Sequence, residues 1–164
     1  TTDFDLWPET SKMILVLLMF IGACAGSTGG GFKISRLLIL CKAIPKQLSL
    51  VIHPREVKVI RMDGKPIDHN TLRSTNVYLA IYFFILLVST LLISVDNFNL
   101  TTNFTAVAST LNNIGPGLDG VGPTSNFGMY SDFSKFVLMF DMLAGRLELY
   151  PLLILFMPSL WRRK

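Results

Sequence analysis

Charged residues are scarce in this chain. They make up 16% of its 164 residues, against about 25% in an ordinary soluble domain. Half of the sequence is hydrophobic, and together these two facts argue against a soluble globular protein. Cysteine is limited to Cys24 and Cys41, both in apolar stretches and without metal-ligand spacing, which excludes a disulfide framework and a zinc site. Histidine is limited to His53 and His69, which sit in a basic stretch and read as solvated surface. The opening Thr1-Thr2-Asp3-Phe4 has no initiator Met, basic n-region or cleavage site, so no signal peptide is read and the chain reads as cut from something longer. No nucleophile–base pair, histidine cluster or paired loop carboxylates are present, so no enzyme is expected. The net charge of +4 is distributed by topology and does not point to nucleic acid.

The apolar runs that are present differ in length. Residues 13–25 are apolar but too short to cross a hydrocarbon core, which needs about 20 helical residues. Residues 77–95 carry no charge for nineteen positions and read as a spanning helix. Residues 104–114 form a second short piece. Residues 136–160 are long enough to span, although they carry Asp141, Arg146 and Glu148. Residues 32–52 are interrupted by Lys33, Arg36, Lys42, Pro45 and Lys46, and read as a bent helix leaving the membrane.

Charge sets the orientation. Seven Lys and Arg lie between positions 42 and 73 against three acids, whereas 96–134 holds Asp96, Asp119 and Asp132 and no basic residue. The positive-inside rule places 42–73 and the Trp161-Arg162-Arg163-Lys164 tail in the cytoplasm and 96–134 outside. The acidic first dozen residues also read as external. Both short runs must then dip into the membrane and return to the side they came from.

Backbone that ends inside a membrane survives only where it is buried in protein or lines a wet path. Both dips end in glycine-rich loops, Cys24-Ala25-Gly26-Ser27-Thr28-Gly29-Gly30-Gly31 and Asn112-Asn113-Ile114-Gly115-Pro116-Gly117-Leu118-Asp119-Gly120. Short helix, glycine loop and longer helix thus occur twice, an internal repeat suited to a filter of carbonyl oxygens that replace a cation's water shell. The competing reading is tight helix packing, but packing glycines recur every fourth residue and these are contiguous. Gly115 to Gly120 also fits G-x-G-x-x-G, yet no strand precedes it, and Gly26 to Lys33 lacks the Gly-Lys-Ser/Thr ending of a phosphate loop. Asn99-Leu100-Thr101 and Asn103-Phe104-Thr105 are glycosylation sequons by pattern alone.

GACAGSTGGGFK, STLNNIGPGLDG and MLAGRLELY, with HPREVKVIRMDGKPI between them, resemble the Trk/Ktr/HKT superfamily of potassium transporters, and most closely its bacterial TrkH branch. The resemblance implies an all-α integral membrane fold of four helix–pore helix–filter loop–helix repeats around a pseudo-fourfold pore. This chain would hold residues 1–52 as repeat three without its first helix: pore helix 11–23, filter loop 24–31 and second helix 32–52. A cytoplasmic connection, 53–72, would lead to repeat four at 73–164, with first helix 77–95, pore helix 103–113, filter loop 114–120 and second helix 135–160. The expected function is potassium uptake across a bacterial inner (plasma) membrane by a multi-pass protein. A sodium- or proton-coupled carrier and a non-catalytic scaffold subunit are the alternatives. Backbone oxygens of Cys24, Ala25, Gly26, Asn113, Ile114 and Gly115 would bind the permeant potassium ion, with no organic cofactor. Gly29, Gly30, Gly31 and Arg146 would form a gate below them. Implied partners are the first two repeats of the same protein, a second copy in a homodimer, a cytoplasmic nucleotide-binding regulatory subunit of Trk type, and the lipid bilayer.

Overall fold

The charge-free run forms the axis of the structure. A computed structural model of the chain describes residues 2–24, 27, 30–53, 59–62 and 64–147. Its elements in order are α1 (Glu9–Met19), α2 (Ile34–Ile52), β1 (Arg61–Met62), β2 (Lys65–Pro66), α3 (His69–Ile93), α4 (Leu100–Leu111) and α5 (Asp132–Leu147).

Helix α3 has 25 residues, about 37 Å at 1.5 Å per residue, which exceeds the roughly 30 Å hydrocarbon thickness of a bilayer. Among the described residues, Asn70–Asp96 is the one stretch long and apolar enough to cross a membrane. Phe84, Leu87, Leu91 and Val95, spaced by three or four, form an apolar stripe 66–73% exposed, as a lipid-facing surface requires. The opposite face packs Tyr78, Tyr82, Leu86 and Ile93 into the core. The helix starts eight residues before position 77, because the polar run His69 to Asn76 continues the helical hydrogen bonding outside the apolar segment.

Helix α4 is short and buried almost all round: every residue from Thr105 to Leu111 is inaccessible. It begins where Asn99 takes the N-cap, its side-chain oxygen accepting from the Thr102 amide at 2.7 Å. Most of its buried hydroxyls are satisfied within the helix, with Thr105 donating to the Thr101 carbonyl at 2.8 Å and Thr110 to that of Ala106 at 2.9 Å, while Thr102 donates to Asp119 beyond it. A helix surrounded by protein can therefore keep this polar composition. The sequon asparagines are accounted for structurally, since Asn99 caps the helix and Asn103 is buried.

Several expected boundaries shift. The first short helix is Glu9–Met19 rather than 11–23, since Pro8 sets its start and the chain turns at Phe20 before the close approach at Gly22. The helix expected at 32–52 begins at Ile34, with Pro45 inside it. The helix expected at 103–113 is Leu100–Leu111. The last helix begins at Asp132, and the positions 148–160 expected to complete it lie outside the described residues. The connection 53–72 is not featureless. It holds an antiparallel pairing of Arg61 with Pro66 and Met62 with Lys65, turned by Gly64 at φ 77°. Lys42 on α2 donates to the Arg61 carbonyl at 2.9 Å, tying this hairpin to the helix before it.

Candidate functional site

The first glycine loop is closed at its base by two backbone bonds. The Gly22 amide donates to the Phe32 carbonyl at 2.9 Å, and the Ile34 amide to that of Ala23 at 3.3 Å. A Cβ on Gly22 would lie 2.8 Å from the Phe32 oxygen, so only glycine permits this clasp. Within the loop, the Cys24 carbonyl accepts from the Ser27 amide at 3.1 Å, and the Cys24 side chain is exposed as a free thiol. Ala25, Gly26 and Gly29, expected in the filter and the gate, lie outside the described residues.

The second loop leaves the C-terminus of α4 at Asn112. Asn113 (φ 55°) and Gly115 (φ 121°) both occupy positive φ, so the chain turns sharply twice within four residues. The amides here are used: Asn113 donates to the Thr110 carbonyl, Ile114 to that of Ser109, and Gly117 to that of Val121. Among the described residues, the carbonyls of Asn113, Ile114 and Gly115 accept no hydrogen bond. Backbone oxygens without protein donors, at the negative end of a helix dipole, suit a cation ligand.

The two loops meet. A Cβ on Gly30 would lie 2.8 Å from Asn113 Nδ2 and 3.1 Å from the Asn112 carbonyl oxygen. One on Gly31 (φ 81°) would clash with Asn112 Oδ1. Gly22, Ala23, Gly30, Asn112, Asn113 and Ile114 border one cavity of about 510 Å³, walled on its apolar side by Leu15, Leu18 and Met19 of α1. Gly30 and Gly31, expected in the gate, are thus buried in the seam between the loops, whereas Asn113, Ile114 and Gly115 are exposed.

Helix α5 supports the second loop from behind. Asn113 Nδ2 donates to the Met142 carbonyl at 3.2 Å. Asp141, fully buried, accepts from Ser89 of α3 at 2.7 Å. Gly145 packs against the end of α4. Arg146, one residue on, is exposed and one residue short of the end of the described helix. The residues flanking the second loop are held by polar contacts as well. Asp119 accepts from Thr102 at 3.0 Å and from the Asn99 amide group, while its own N–H donates to Asp5 at 3.0 Å. Tyr130 donates to Asn103 at 3.0 Å, and burial pushes its phenol up to about 12. Asp132 opens α5 and pairs with Lys135 at 3.6 Å.

A family model described as TrkH, cation transport protein, matches residues 1–163. The chain belongs to the TrkH family. Among its relatives, the Trk system potassium uptake protein TrkH of Vibrio parahaemolyticus is 39% identical over 162 residues, 99% of this chain and 33% of that protein. The TrkH of Escherichia coli K12 is 37% identical and the TrkG of the same strain 33% identical, each over 99% of this chain and 33% of its own length. The crystal structure of the potassium transporter TrkH from Vibrio parahaemolyticus superposes with a TM-score of 0.87 at 38% identity, covering 98% of this chain and 34% of that one. The chain therefore spans about a third of the length of the relatives it matches. Its fold is the helical fold of a membrane transporter, and family membership places it in a membrane.

Sequence reasoning missed Tyr82, Asn112 as a side chain, and Gly145. Tyr82 lay inside the apolar run, where an aromatic is unremarkable. Asn112 stands in the sequence only as the first residue of the second glycine loop. Gly145 was quoted only as part of MLAGRLELY.

Proposed function

We propose that this chain supplies two of the loops of a potassium filter, within a longer protein that takes up potassium across a bacterial plasma membrane. The observation that carries the reading is the cavity shared by the two glycine loops, with the undonated carbonyls of Asn113, Ile114 and Gly115 beside it. Carbonyls around Gly26 in the first loop would complete this half of the ion's coordination. The loops would be the filter quarters of repeats three and four, and the rest of the protein would supply the other two. Arg146, with the glycines at 29–31, would gate the path below. A second copy of the protein and a cytoplasmic nucleotide-binding subunit of Trk type would be the partners.

Gly115→Ser in the complete protein tests this. The space beside Gly115 is open, with nothing within 4 Å of a Cβ, so the substitution acts through the positive φ that an L side chain disfavours. Rubidium uptake should fall or sodium exclusion weaken while the protein still reaches the membrane. Unchanged uptake and unchanged sodium exclusion would remove the filter assignment.

A further inference from the structure

Tyr82 sits midway along α3 and is 2% exposed. A phenol buried so deeply needs a partner for its hydroxyl, because an unpaired one carries a desolvation cost with no return. That partner is Asn112, whose Oδ1 accepts from the Tyr82 hydroxyl at 2.9 Å. The other end of the Asn112 amide donates to the Ala108 carbonyl at 2.8 Å, so both ends of the side chain are fixed. Its Oδ1 lies against Gly31, the residue at positive φ in the other loop.

The ring of Tyr82 reaches the first loop directly. It packs edge-on to Phe20 at 6.4 Å between centroids and tilted against Phe32, also at 6.4 Å. Phe20 stands just before the first glycine loop and Phe32 just after it. One side chain on the spanning helix thus touches both roots of one loop through its ring and the root of the other through its hydroxyl.

We propose that Tyr82 is a positioning residue that sets the spacing of the two glycine loops, and with it the discrimination between cations of different size. The inference rests on the filter reading above. A carbonyl filter separates potassium from sodium by the positions and number of its oxygens, so a clamp between loops acts on selectivity before it acts on flux. Asn112 transmits the hydroxyl's hold, since its Oδ1 is wedged between Tyr82 and Gly31.

The test is Tyr82→Phe in the complete protein, reconstituted in liposomes, with rubidium and sodium uptake measured per purified molecule. Loss of one buried hydrogen bond predicts a fall in rubidium-over-sodium preference of about fivefold, with rubidium uptake itself little changed. The double variant Tyr82→Phe with Asn112→Leu should lose no more selectivity than the worse of the two single variants, because both break the same clamp. If Tyr82→Phe yields no protein, Asn112→Ser, too short to meet the hydroxyl, carries the same expectation. Selectivity unchanged per molecule, a loss confined to protein yield, or losses that multiply in the double variant would each overturn the proposal. Gly115→Ser measured alongside separates the levels. If it alters selectivity and Tyr82→Phe does not, the clamp fails and the filter reading stands; if neither does, the filter reading fails first.

Discussion

Gly145 of α5 lies so close to Leu111, the last residue of α4, that a Cβ there would clash with the Leu111 carbonyl oxygen and stand 2.8 Å from Asn113 Nδ2. No side-chain rotamer relieves a clash with backbone. Gly145→Ala must therefore push α5 away from α4 and draw the Met142 carbonyl off Asn113. The expected cost is about 1–3 kcal/mol, as for other overpacked contacts, together with reduced rubidium uptake. Thermal unfolding of the purified variant checks the first outcome and tracer flux the second. An unshifted unfolding temperature would mean that the helices do not approach as described.

The Ser89–Asp141 contact joins α3 to α5 at 2.7 Å with both side chains buried. The second carboxyl oxygen, Oδ2, has no hydrogen-bond partner among the described residues. Ser89→Ala would leave the whole carboxyl without a donor, and a loss of about 1–3 kcal/mol in detergent unfolding is expected. Asp141→Asn keeps an acceptor for Ser89 and should be the milder change. Equal stability of the Ser89→Ala variant would show that Asp141 reaches another donor.

How much of this could be read beforehand depends on whether the signal is local. The long apolar helix was legible because nineteen uncharged residues in a row have few other uses, and helical backbone runs through 77–93 of the expected 77–95. Its true start was not, because His69 to Asn76 are polar and a hydropathy reading stops at the membrane surface. Glycine clusters at Gly30–Gly31 and Gly115–Gly117 were visible as loops, and the structure brings Gly30 of the first to one cavity with Asn113, Ile114 and Pro116 of the second. What made the loops meet was not visible. Tyr82 and Asn112 are thirty residues apart, and nothing in either neighbourhood announces the bond. The hairpin was missed for another reason: two-residue strands are too short to show alternation, and Asp63-Gly64 was read only as part of a basic loop.

Arg146 carries the gate reading. A fixed cation in the path below a potassium filter repels the permeant ion, the more so as water is excluded. Arg146→Ala should raise potassium flux per purified molecule and weaken control by the proposed regulatory subunit. Arg146→Lys, which keeps the charge but loses the planar donors, should fall between. Lower or unchanged flux from well-folded Ala protein would sink the gate role in favour of a structural one.

The topology has a direct check. With the exposed Cys24 and Cys41 first replaced, single cysteines at Gly64 and Thr124 should react with an impermeant reagent from opposite sides of the membrane. Position 64 should label from the cytoplasm and position 124 from outside. Labelling of both from one face would remove the re-entrant geometry and the pore with it.

The excess length of α3 has a mechanical side. Its first two turns continue past the apolar span to the hairpin that Lys42 pins to α2, and Tyr82 lies thirteen residues up the same unbroken rod. That is a lever arm of about 20 Å between the hairpin and the contact with Asn112. A tilt of about 5° pivoting at the hairpin end would carry the Tyr82 position sideways by roughly 1.7 Å, more than half the length of a hydrogen bond. A rotation of α3 about its hairpin end would thus reach the Tyr82–Asn112 contact enlarged by the length of the helix between them.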